Sequence, residues 1–145
     1  MKLKDRMAPP WLVLLFGLAA SPALADEPAP AAPGAGVMCV LGVEVAAAEV
    51  GRRCFKDQDP ALQVELGRAV ARLEDYVLEN GPPSPEDLAR VTASRNLARL
   101  PDAKLCQGDV APLYLTLRAA GPERLRSETD HLEARRGTPT WGDCQ

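Results

Sequence analysis

Helix starts and stops recur along this chain at helix-length intervals, and that punctuation constrains the fold more than any other feature. Asp59 can accept hydrogen bonds from free first-turn amides, Pro60 fits the first helical position, and Gly81-Pro82-Pro83 ends the segment. Together they predict a helix over Pro60–Asn80. Leu62, Leu66, Val70, Leu73 and Val77 give it an apolar stripe, while Glu65/Arg68 and Arg72/Asp75 are spaced to pair on its outer face. Ser84-Pro85-Glu86-Asp87 repeats the start chemistry for a helix running to about Arg99 and stopping before Pro101. Asp109 can cap a shorter helix to about Ala120 carrying Val110, Leu113 and Leu117. Gly121-Pro122 then allows a last one to about Arg136, with Leu125 and Leu132 inward and Gly137 as its stop.

Upstream, Val40, Val43, Ala47, Val50 and Cys54 recur at spacings of three and four and predict a helix over Val37–Phe55. Gly42 and Gly51 interrupt it. Each is about 1 kcal/mol worse than Ala in a helix interior, so either another helix approaches closely there or the helix ends are ragged. No segment after residue 36 sustains the alternation of a strand. The expected fold class is therefore all-α, a small bundle of about five helices forming one domain over residues 37–145.

The first 25 residues have the layout of a secretory signal: Lys2, Lys4 and Arg6, an apolar run over Trp11–Ala20, then the small-x-small site Ala23-Leu24-Ala25. The apolar run is about half the roughly 20 residues that span a bilayer, so cleavage after Ala25 is expected rather than a stable membrane anchor. The next segment, DEPAPAAPGAG over 26–36, reads as a disordered Pro/Ala/Gly tether. After Ala25 the chain carries 14 basic against 19 acidic residues, a formal charge of −5, which is no footprint for nucleic acid. The expected location is the periplasm or the extracellular side, where disulfides persist.

Four cysteines, at 39, 54, 106 and 144, allow three pairings. Cys39 and Cys54 on one continuous helix would stand about 22 Å apart, and bonded Cα atoms lie within about 7 Å, so they cannot join each other. An up-down course brings the end of the third helix back toward Cys54 just before Cys106. This favours Cys54–Cys106 with Cys39–Cys144. Close pairs such as C-x2-C are absent, so the cysteines read as structural rather than as metal ligands.

Catalytic candidates are sparse. His131 is the single histidine, with Asp130 and Glu133 beside it and Ser127 one turn back on the same face, which would suit a small envelope hydrolase or an exposed helix surface. Glu74-Asp75 and Glu86-Asp87 read as solubility and helix-start residues, and Arg52-Arg53 and Arg135-Arg136 as helix-end cations. With one histidine and one methionine after residue 25, no metal or cofactor is expected. Trp141 has two readings: packing beside a terminal disulfide, or anchoring a partner from the tail.

In size, class and dispersed cysteines the chain resembles periplasmic immunity proteins that block peptidoglycan amidases, and helical lysozyme-inhibitor domains. No motif matches theirs, and no functional residue carries over. The expected function is that of an exported, non-catalytic interaction module binding a periplasmic protein or envelope component. The alternatives are the hydrolase using His131 and a carrier of a small apolar ligand inside the bundle. An apolar groove, a cleft near His131 and an internal cavity, respectively, would distinguish them.

Overall fold

The computed structural model describes residues 34–142. The expected leader over 1–25, most of the expected tether, and Cys144 lie outside the described residues. Six α-helices follow in order: α1 Val37–Cys54, α2 Pro60–Asn80, α3 Pro85–Arg95, α4 Asp102–Gln107, α5 Ala111–Ala120 and α6 Pro122–Ala134. A 3₁₀ turn over Asn96–Arg99 tightens the end of α3, and no strand occurs among the described residues. The all-helical class is as expected; the count is one higher. The added helix, α4, has only six residues, too few for a periodic stripe, and Pro101 both stops the preceding turn and stands at its N-cap.

Helix α1 is the central element and packs against α2, α3, α4 and α5. It therefore buries more than the single stripe expected. Val37, Met38, Leu41, Ala46, Ala47 and Val50 are all buried, on several sides of the helix. The apolar interior falls into two clusters. Ala47, Val50, Leu62, Leu66, Ala69, Leu105, Tyr114 and Leu125 fill one end. Val37, Met38, Leu41, Leu73, Tyr76, Val91 and Leu132 fill the other. On α2 the buried line runs through Leu62, Leu66, Ala69, Leu73 and Tyr76, with Val70 and Val77 only half-buried. Tyr76 is admitted because its hydroxyl donates to the carbonyls of Arg135 and Gly137, at 2.8 and 2.9 Å.

The two α1 glycines mark close approaches, not frayed ends. A Cβ at Gly51 would stand 2.5 Å from Cε2 of Tyr114, and one at Gly42 would meet the Trp141 ring at 3.2 Å. Tyr114 cannot yield, being fully buried and stacked on Phe55 with ring centroids 4.8 Å apart. Gly51→Ala is therefore expected to destabilise by about 1–2 kcal/mol, overpacking outweighing the gain in helix propensity. Gly67, with nothing within 4 Å of its Cβ position, is the control. Gly67→Ala should stabilise by up to about 1 kcal/mol, and urea midpoints of the two variants should move in opposite directions.

Capping differs from expectation at two starts. Ser84 caps α3, its Oγ accepting from the Asp87 amide at 3.1 Å. Asp59 precedes α2 in the left-handed region (φ 49°), and its side chain does not cap. Instead its carboxylate meets Arg118 at 2.9 Å and accepts from the Tyr114 hydroxyl at 3.4 Å, so a tertiary contact has taken the capping group. Asp109 does not cap α5 either; Val110 holds that position.

The Cys54–Cys106 disulfide is present, with Cα atoms 5.5 Å apart, and ties the end of α1 to α4. It is the one disulfide with both ends among the described residues. Cys39 is buried in the first turn of α1.

At the margins, the last three tether residues belong to the folded unit. The Gly34 amide donates to the Arg135 carbonyl at 2.9 Å, and the Thr140 amide to the Gly34 carbonyl at 3.1 Å. A side chain at Gly34 would collide with the Thr138 carbonyl. Backbone pairing of this kind leaves no trace in side-chain periodicity, which is why 34–36 and the tail read as patternless.

Candidate interaction groove

Three polar contacts hold α6 against α2, and none follows the pairing expected along α2 itself. Glu65 is only 3% exposed. Arg126 of α6 donates to it from Nη2 at 2.7 Å and Nε at 3.2 Å, and these bonds hold its carboxyl below the usual range. The contact with Arg68 is longer, 3.5 Å. Arg72 turns to Glu133 and Asp130 of α6, the latter at 2.6 Å, rather than to Asp75. Pairing across helices wins because each arginine there meets two acids at a seam already partly removed from water.

Glu44 is the residue that the periodic reading passed over. It is 1% exposed in the middle of α1, and neither carboxylate oxygen has a hydrogen-bond partner among the described residues. Burial, and secondly the nearby Glu128 carboxylate, push its acid up to about 8 against the opposing pull of Arg72. The signal was there: one acid inside the apolar run from Val37 to Ala48.

The other sequence candidates are dispersed. His131 and Ser127 are both exposed, and no hydrogen bond joins them among the described residues. Asp130 is engaged by Arg72. Glu74 pairs with Arg95, and Glu86 with Arg90. Arg53 binds Asp102 and the carbonyls of Ala98 and Leu100, securing the turn before α4. Among the described residues no group of three or more His, Cys, Asp or Glu is placed to hold a metal ion. No described helix is long and apolar enough to cross a membrane.

Apolar concavity gathers instead around α3. Between α2 and α3 lies an open groove of about 280 Å³, floored by Met38, Leu41 and Val91 and walled by Val77, Leu78 and Leu88. Leu78 and Leu88 are 82% and 54% exposed, and the Glu74–Arg95 pair closes one end. On the other side of α3, a hollow of about 300 Å³ has the buried Gly42 and Ala46 as a small-residue floor and Ala93, Leu97, Leu113 and Trp141 at its rim. Trp141 is half-buried there, packed on the cluster around Leu41, with the Arg90 guanidinium 5.1 Å above its ring. Leu78 and Leu88 were missed because exposure is decided by neighbours: Leu78 adjoins the stripe residue Val77 and only the position of α3 leaves it uncovered.

Compared with known proteins, the chain matches no protein family, no curated protein and no solved structure.

Proposed function

We propose that the protein is an exported, non-catalytic interaction module that binds a periplasmic protein or envelope component through the face centred on α3. The observation that carries this reading is the groove between α2 and α3, where two strongly exposed leucines line one apolar concavity. Burying a leucine on association is worth about 1.5–3 kcal/mol, and contiguous exposed apolar surface in a groove marks an interaction site. Trp141 on the neighbouring hollow extends the same face. Export and cleavage after Ala25 belong to this proposal, as does a second disulfide, Cys39–Cys144. The Cys54–Cys106 bond and the acidic balance support them.

A photo-crosslinking residue placed at 78 or 88 should capture the same component in the periplasm, while one at the exposed Leu115 of α5 should not. Leu88→Glu should then weaken binding of the purified component at least tenfold. Equal capture from all three positions, or binding indifferent to Leu88→Glu, overturns the reading. Intact mass should equal residues 26–145 less four hydrogens, with four thiols alkylated only after reduction.

A further inference from the structure

Glu44 lies one turn after Leu41 and one before Ala47, which belong to the two different apolar clusters. Helix α6 spans the same boundary. Its Leu125 joins the first cluster and its Leu132 the second, with the fully buried Thr129 between them. The Thr129 hydroxyl donates to the Leu125 carbonyl at 3.0 Å, so its proton is spent within α6. The charges facing Glu44 are Arg72 from α2 and Glu128 from α6. The other elements packed on α1 turn theirs elsewhere: Arg95 of α3 to Glu74, Asp102 of α4 to Arg53, and Arg118 of α5 to Asp59. Tyr114 of α5 is stacked on Phe55 at the Gly51 end.

Helix α6 is joined to the bundle by three buried side chains, Leu125, Thr129 and Leu132, and by ion pairs of Asp130, Glu133 and Arg126 with α2. Glycines stand just outside both its ends, Gly121 at φ 86° and Gly137 at φ 159°. A crevice of about 180 Å³, lined by Arg72, Asp75, Tyr76, Glu79, Glu133 and Arg136, already parts the seam between α2 and α6. A seam held largely by ion pairs and already parted by a crevice can open locally without unfolding the rest of the bundle.

We propose that Glu44 is a proton-controlled latch: as the neutral acid it lets α6 close over the α1–α2 surface, and as the carboxylate it favours a state in which α6 is released and water reaches it. Losing the proton inside the closed form leaves a bare charge with no hydrogen bond and with Glu128 repelling it. Moving α6 away removes both penalties at once, and Arg72, no longer held by Asp130 and Glu133, becomes available as a partner.

The test is hydrogen exchange of the mature, disulfide-bonded protein between pH 5.5 and 9, corrected for intrinsic exchange rates. Release linked to one proton should raise the opening constant of residues 122–134 about tenfold per pH unit until the closed-form acid titrates near pH 8, then level off. Amides in the middle of α1 and α2, which open only with global unfolding, should remain far better protected than those of α6 at every pH, although their protection also declines as pH rises. Glu44→Gln, and independently Glu44→Met, should abolish the slope in α6. Opening free energies of α6 equal to those of α1 and α2 at every pH would mean that α6 opens only with global unfolding and would overturn the latch. So would a slope in α6 that survives either substitution, or no slope in the wild-type protein.

Discussion

Replacing both Cys54 and Cys106 by alanine is expected to lower the free energy of unfolding by about 4 kcal/mol. The bond joins residues 52 apart in sequence, and closing a loop of that length removes roughly this much conformational freedom from the unfolded chain at 25 °C. A domain of this size commonly has a net stability of only 5–15 kcal/mol, so a large share depends on one cross-link. The position adds to the effect. α4 has six residues and one buried side chain, Leu105, and the disulfide is what presses that short element on the end of α1. Without it, α4 and the adjoining turn should be the first segments to lose protection. Urea unfolding of the double variant should show this loss, and the fully reduced wild type a larger one, because reduction also opens the proposed Cys39–Cys144 bond. A loss below about 1 kcal/mol would place the stability of that end in the Arg53 network instead.

The second large effect concerns pH. Glu44 titrates near 8 when folded and near 4.5 when unfolded, so between these values the folded state holds a proton that the unfolded state has released. Stability linked to this residue is therefore fully present below about pH 4.5, declines as pH rises, and is lost by about pH 8. The span corresponds to about 5 kcal/mol at most, and to about 3 kcal/mol already lost at pH 7. Glu65 acts in the opposite sense. Its lowered titration supplies stability above its unfolded value that fades as the solution is acidified through its folded one. The two together predict a maximum in mildly acidic solution. Glu44→Met, of similar length and without polar atoms, should be more stable than the wild type at pH 7 and nearly flat from pH 5 to 8. Thermal or urea unfolding across that range checks the sign directly. A wild type whose stability rises from pH 5 to 8 would contradict the burial of an ionisable acid at this position.

Much of the architecture was legible before any coordinates. The limits of α2 follow from Pro60 at one end and Gly81-Pro82 at the other, because proline and glycine act on the backbone of their own residue and need no neighbour. Ser84 was legible as a cap for the same reason: its partner, the Asp87 amide, is three residues away. The Cys54–Cys106 pairing was legible because 1.5 Å of rise per residue excludes one alternative and an up-down course ranks the rest.

What sequence spacing alone misassigned involves groups with more than one available partner. Asp59 was free to cap α2 or to meet Arg118, and Arg72 to meet Asp75 or the two acids of α6. In each case the distant partner prevails because packing brings it into a drier, more crowded setting. The candidate groove belongs to the same class. Leu78 and Leu88 are ordinary leucines in amphipathic helices, and whether a leucine is core or anchor depends on what the neighbouring helix covers. Trp141 was noticed for its residue type, yet only the fold sets it over Gly42 and under Arg90.

The sequence by itself determined the helical class, most helix limits and the described cross-link, since these rest on backbone chemistry and short-range spacing. Tertiary structure alone decided that α1 is the central helix, that Glu44 is sealed with no hydrogen-bond partner among the described residues, and that an open apolar groove lies beside α3. Those depend on which faces meet at long range, where burial and charge are set by the assembled bundle rather than by any stretch of chain.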